Sequence, residues 1–105
     1  MKQSKIGGIF PALLTPFTKG GVKVDYERAC GLAEFLAKKG VHGLFVCGTT
    51  GEGPLMTLAE RKQMVEEIVG AVGKKLTVIA HTGCFDTPST IEHTPHAQNA
   101  GAAAA

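Results

Sequence analysis

The residues with the clearest capacity for chemistry are Gly48-Thr49-Thr50-Gly51-Glu52. Two adjacent threonines offer two hydroxyls, and the glycines on either side permit a tight turn that exposes backbone N–H groups. Such a set suits a small carboxylate or a phosphate. The glycines stand at 48, 51 and 53, which is not the GxGxxG spacing of dinucleotide-binding loops, and no Lys-Ser/Thr pair follows as in a P-loop. The same residues also suit a plain strand-to-helix turn in which the threonine hydroxyls satisfy local backbone. Spacing alone leaves both readings open. Glu52 is expected to tie the loop to the helix start rather than to act as a base, because a carboxylate is stabilised near a helix N-terminus. His81 and Cys84 are further candidates. His81 is read as a polar residue satisfied by loop backbone or as a functional group, and Cys84 as a loop thiol whose reactivity the sequence does not decide.

These residues need elements to hold them. The apolar run Gly43-Leu44-Phe45-Val46-Cys47 predicts a strand that delivers the threonine loop. Thr57-Leu58-Ala59-Glu60 predicts a capping box, opening a helix that carries Met64, Val65, Ile68, Val69 and Val72 and stops at Gly73. Leu76 to Ala80 predicts the next strand, leading into His81-Thr82-Gly83. Thr87-Pro88 then reads as N-cap and first turn of another helix, which Pro95 is expected to interrupt and Asn99-Ala100-Gly101 to end. Upstream, Ile9 to Leu14 predicts a strand apolar enough to be buried on both faces, although Pro11 weakens it. Asp25 is read as the cap of a helix running to about Lys39 and stopped by Gly40.

Three strand-then-helix units in series imply parallel crossovers at the level of fold class: α/β. Ligands then bind at the C-terminal ends of the strands, where the 48–52 loop falls. Either a doubly wound open sheet or a (β/α)8 barrel fits. A barrel needs about 250 residues, whereas this chain has 105. It stops at Gly101-Ala102-Ala103-Ala104-Ala105, near the expected start of a fourth strand. The alanines could form a natural flexible end, but a series that stops at a strand start reads rather as an unfinished fold, either cut short or with its last side chains not identified.

Composition narrows the function classes. The chain is 44% hydrophobic and 19% charged with a net charge of +2, and its basic residues form no block, so nothing points to nucleic acid. No apolar run approaches the roughly 18 residues of a membrane span. The N-terminus lacks a signal-peptide pattern, which makes the cytoplasm the default compartment. Cys30, Cys47 and Cys84 form no CxxC pair, and no histidine stands at metal-ligand spacing with acidic residues, so no metal is expected. Cys30 and Cys47 are read as small buried hydrophobes.

Four segments occur together in order: Phe10-Pro11-Ala12-Leu13-Leu14-Thr15-Pro16-Phe17, Val24-Asp25-Tyr26, Gly48-Thr49-Thr50-Gly51-Glu52 and Val78-Ile79-Ala80-His81-Thr82-Gly83. In this the chain resembles the N-terminal third of the dihydrodipicolinate synthase and N-acetylneuraminate lyase family, over nearly its whole length. The resemblance implies the first three βα units of a (β/α)8 TIM barrel plus the start of a fourth strand. It also implies class I aldolase chemistry: a lysine forms a Schiff base with pyruvate, whose C3 then adds to a small aldehyde, without a cofactor. Thr50 would hold the pyruvate carboxylate, while Thr49 would contact substrate and join a catalytic hydroxyl relay with tyrosines. The implied assembly is a homo-oligomer, commonly a tetramer.

The family's lysine and main tyrosine lie on later strands. Here Lys38, Lys39, Lys74 and Lys75 flank the wrong strand ends, Lys62 is mid-helix, Lys19 and Lys23 sit in a loop on the correct face but with no strand to hold them rigid, and Lys2 and Lys5 precede the first strand. His-x-Gly at 81–83 resembles the neuraminate lyase side of the family, which leaves a dihydrodipicolinate synthase-like condensation and a neuraminate or keto-sugar-acid aldolase both open. A reading from another class is an inert barrel fragment or a small anion-binding module.

Overall fold

The computed structural model describes residues 6–105; Lys2 and Lys5 lie outside the described residues. Helix α1 (Tyr26–Lys38) precedes strand β1 (Gly43–Val46), helix α2 (Leu58–Val72), strand β2 (Thr77–Ala80) and helix α3 (Thr87–Ala100). Short 3-10 turns occupy Lys19–Gly21 and Gly53–Leu55. β1 and β2 pair in parallel, with Leu44 opposite Val78 and Val46 opposite Ala80. The fold is α/β.

Each helix begins where a side chain can satisfy its free N–H groups. Asp25 accepts from the backbone N–H of Arg28 at the start of α1. At α2 the capping box is complete: Thr57 accepts from the Glu60 N–H at 3.1 Å, and the Glu60 carboxylate accepts from the Thr57 N–H at 2.8 Å. Replacing Thr57 by Ala is expected to lower stability by about 1 kcal/mol, read as a shift in the denaturant midpoint with an unchanged slope. The cap of α3 is Asp86, one residue before the expected Thr87. Its carboxylate accepts from the Ser89 N–H at 2.8 Å, which places Thr87 and Pro88 in the first turn.

Pro95 does not interrupt α3, which continues to Ala100 and ends at Gly101 with φ 103°. Proline removes the N–H that would reach the carbonyl of Ile91. Ile91 lies on the exposed side, 65% accessible, so water can take the place of the missing donor.

The first expected strand, Ile9 to Leu14, forms only an isolated parallel bridge from Ala12 to Phe45. The Leu13 N–H donates to Phe45 O and the Phe45 N–H to Pro11 O. The next N–H to donate would be residue 11's, and proline has none, so no second bridge forms, although Ile9 O still accepts from the His42 and Gly43 N–H groups. On the far side a bridge joins Ile79 to Ala104, with Ala103 N–H donating to Val78 O and Ala80 N–H to Ala104 O. The terminal alanines therefore lie in parallel register beside β2.

One face of this parallel array is fully covered. Leu13, Leu44, Val46 and Val78 are 0–2% exposed and pack with Ala29, Ala33, Met64, Ile68 and Val72 from α1 and α2. α2 packs against both α1 and α3. The opposite face is not buried as the apolar runs suggested. Ala12, Phe45, Ile79 and Ala104 share one register row there, Phe45 and Ile79 are half-buried, and Leu14 is 57% exposed.

Candidate functional site

β1 ends at Val46, and Cys47 turns the chain with φ 61° while its side chain stays fully buried. The turn that follows is drawn tight by Gly53 N–H donating to Gly48 O at 3.0 Å and Glu52 N–H donating to Thr49 O at 3.0 Å. The buried Thr15, at the end of the first extended segment, donates its hydroxyl to Gly51 O at 2.5 Å. The glycines serve the protein's own backbone. A Cβ on Gly51 would stand 2.6 Å from Leu13 O, and one on Gly53 only 1.9 Å from Cys47 O. The loop is thus clamped from both sides, and its tip, Thr49 and Thr50, is left exposed at the C-terminal end of β1.

Glu52 does not tie the loop through its side chain as expected. It has φ 59°, its carboxylate is exposed and bonds to none of the described residues, and its backbone makes the turn. The helix start is already served by Thr57 and Glu60.

His81 follows β2, and its N–H continues the ladder to Val46 O at 2.9 Å. Its ring is half-buried and meets the edge of Phe45 at 5.9 Å between centroids. The group that holds it is Arg61 of α2, which is 4% exposed. Arg61 Nη2 donates to His81 O at 2.6 Å and contacts His81 Nδ1 at 3.2 Å; Nη1 donates to Gly83 O at 2.8 Å and lies 3.3 Å from Cys84 Sγ. The loop after β2 is therefore pinned to α2 by one buried guanidinium. A cavity of about 420 Å3 opens beside it, lined by Pro54, Met56, Arg61, His81, Cys84 and Phe85 among others; Thr49 and Thr50 lie outside it.

Sequence reasoning passed over Arg61. The signal was present: positions 61, 64, 65, 68 and 72 form the buried stripe of α2, so a charged residue at its first position had to find partners inside. Thr15 was likewise unremarked, as a lone hydroxyl at the end of an apolar run.

The cysteines separate by environment. Burial pushes the Cys47 thiol up to about 11, with Arg61 pulling the other way, so Cys47 is not a ready nucleophile. Burial also raises the Cys30 thiol, which donates to Glu67 O.

Buried without a hydrogen-bond partner on either ring nitrogen, His93 of α3 lies close to Arg61, Lys62 and His96. Desolvation first, then those positive neighbours, lower its pKa from 6.5 to about 4. The unfolded chain thus takes up a proton that the folded one refuses. Stability conferred by neutral His93 is fully present above about pH 6.5 and declines as pH falls towards 4. Melting the protein at pH 7.5 and at pH 5 is expected to show this loss, and His93→Leu to flatten the dependence. An equally steep dependence in that variant would exclude His93 as its source.

Comparison with known proteins places these features in context. Residues 5–105 match the dihydrodipicolinate synthetase family. A 4-hydroxy-tetrahydrodipicolinate synthase from Sorangium cellulosum is 44% identical over 103 residues, covering 98% of this chain and 34% of that protein. The N-acetylneuraminate lyase (sialic acid aldolase) of Aliivibrio salmonicida superposes with a TM-score of 0.86 at 39% identity, covering 92% of this chain and 32% of that one. A prophage protein of the dihydrodipicolinic acid synthase family from E. coli K12, solved in complex with pyruvate, superposes with a TM-score of 0.85 at 37% identity, covering 90% and 32%. The chain spans about a third of the length of the curated relatives it matches.

Proposed function

The chain belongs to the dihydrodipicolinate synthetase family, and from that premise we propose that the whole protein is a pyruvate-dependent lyase or synthase of the class I aldolase type. In this reading a lysine attacks the ketone of pyruvate and water leaves; the protonated imine acidifies C3, loss of a C3 proton gives an enamine whose C3 adds to a small aldehyde, and water then hydrolyses the imine to free the lysine. The observation that carries the proposal is the clamped loop with Thr49 and Thr50 exposed at its tip. Thr50 holds the pyruvate carboxylate through its hydroxyl and N–H, and Thr49 contacts substrate and passes protons along a hydroxyl relay. The relative solved with pyruvate supports this choice of substrate.

The barrel reading rests on the uncovered row Ala12, Phe45, Ile79 and Ala104. An apolar sheet face with no layer over it is unstable in water, and further strands closing the array would bury it as a barrel interior. Five lysines are badly placed for the chemistry: Lys38, Lys39, Lys74 and Lys75 flank the N-terminal ends of β1 and β2, and Lys62 pairs with Glu92. By the family resemblance, the Schiff-base lysine and the relay tyrosines are assigned to later strands of the whole protein. A homo-oligomer and a cytoplasmic location complete the reading. Among the described residues no helix is long and apolar enough to cross a membrane.

The aldehyde is either the electrophile of a dihydrodipicolinate synthase-like condensation or a sugar-derived one. His81 and the likeness to a sialic acid aldolase favour keeping the second reading. The test is the intact mass of the purified protein before and after pyruvate with borohydride. A reduced pyruvate adduct on one lysine is expected, and its absence with fully folded protein would refute the Schiff-base mechanism.

A further inference from the structure

We infer that Arg61 is a positioning residue that fixes His81 in its Nε2–H form, and that His81 thereby donates a hydrogen bond to an oxygen of the aldehyde substrate. The inference rests on the lyase reading above. Its first half is a matter of donors and acceptors. A guanidinium has only N–H groups to offer, so the Arg61 Nη2 to His81 Nδ1 contact of 3.2 Å requires Nδ1 to be the bare, accepting nitrogen. The proton of the neutral ring then sits on Nε2.

The ring has little freedom to escape this arrangement. Arg61 is 4% exposed and anchored as well to His81 O and Gly83 O. The Phe45 edge faces the imidazole. On another side the ring lies against Gly83, where an added Cβ would stand 3.1 Å from Nε2. Among the described residues no group accepts from Nε2, and the ring is only half-buried. A fixed N–H is thus left free at the C-terminal end of β2, where a ligand oxygen can meet it.

Position selects which substrate. β1 and β2 pair Val46 with Ala80, so His81 stands level with Cys47, one strand across from the threonine loop. The Phe45 ring lies between them, since a Cβ on Gly48 would touch it at 2.5 Å while its edge meets His81. His81 is therefore placed for the partner that approaches pyruvate rather than for pyruvate itself. An N–H donor favours an oxygenated aldehyde, one with a hydroxyl or carboxylate near the reacting carbon, over a bare alkyl aldehyde, whose one acceptor is the reacting carbonyl itself.

Two measurements test this. Nitrogen-15 NMR of histidine-labelled protein reads the tautomer directly: His81 is expected to show an unprotonated Nδ1 and a protonated Nε2, and Arg61→Met to mix the two forms. A protonated Nδ1 in the unaltered protein overturns the inference. Kinetics with pyruvate use glyceraldehyde as the oxygenated probe and butanal as the bare one. His81→Leu is expected to raise the KM for glyceraldehyde about tenfold and so lower the preference for glyceraldehyde over butanal, while the borohydride-reduced pyruvate adduct still forms, and to be largely rescued by His81→Gln, whose amide N–H replaces Nε2. An unchanged glyceraldehyde KM in His81→Leu, with the adduct still forming, overturns the substrate half alone. No adduct in the unaltered protein overturns the lyase reading and the substrate half with it, while the NMR result still decides the role of Arg61.

Discussion

Replacing Thr50 by Val is expected to weaken pyruvate binding by one to two orders of magnitude while leaving the fold intact. Valine matches threonine in shape and removes only the hydroxyl. A hydrogen bond to a charged group is worth about 1.5–3 kcal/mol, which corresponds to roughly ten- to hundredfold in affinity. Thr50 is exposed and no other side chain of the described residues bonds to it, so stability should change by no more than about 0.5 kcal/mol. The effect should appear in the KM for pyruvate and in the concentration needed for half-maximal adduct formation, and Thr50→Ser should retain most of the affinity. Unchanged pyruvate affinity in Thr50→Val would remove Thr50 from the site, although the Schiff-base chemistry could stand without it.

Much of this arrangement is legible in the chain, and the parts that are not have physical causes. The capping box at Thr57 and Glu60 and the apolar spacing of α2 appear in the structure as read, because local hydrogen bonds and helical periodicity decide them. The family resemblance drawn from four short segments holds over residues 5–105. Tertiary context decided the rest. Periodicity marks Ile9 to Leu14 as a strand, yet the missing N–H at Pro11 leaves it with one bridge and isolated bonds to Ile9 O rather than a continuous strand. Continuous apolar runs imply burial on both faces, yet only the face under α1 and α2 is covered. A proline in a helix interior normally breaks it, yet the loss at Pro95 falls on an exposed carbonyl side. In the candidate site, the threonines are legible because they adjoin each other in sequence. Arg61 and His81 are 20 residues apart, and only the packing of α2 against β2 brings them together. Glu52 misled for a related reason: its proximity to a helix start suggests a cap, but Glu60 already fills that role, and the left-handed turn leaves the Glu52 carboxylate in solvent.

Glycine-to-alanine substitution is expected to act with opposite sign at two positions, and the contrast separates chain entropy from close approach. Gly70 lies on the exposed side of α2, and an added Cβ there meets nothing within 4 Å. Alanine should stabilise the helix by roughly 0.8–1 kcal/mol, since glycine loses more backbone freedom on folding. At Gly53 the same methyl would stand 1.9 Å from the Cys47 carbonyl oxygen. That oxygen cannot move cheaply. Cys47 is fully buried and already at φ 61°, a conformation unfavourable for a residue with a side chain. The Gly53 N–H is committed to Gly48 O, and the Gly53 carbonyl to the Met56 N–H. The turn must therefore open, breaking the bonds that hold Thr49 and Thr50 at its tip. Gly53→Ala should cost about 3 kcal/mol, at the upper end of what an overpacked site exacts, and should reduce pyruvate affinity as well, although residue 53 carries no group that could touch a ligand. Denaturant midpoints for the two variants, set beside pyruvate titrations, make the comparison. If Gly53→Ala proved as stable as the unaltered protein, the loop would be softer than its contacts indicate. If it lost stability but bound pyruvate normally, the geometry of Thr50 would not depend on the clamp, and the account of how β1 presents the two threonines would fail at that step.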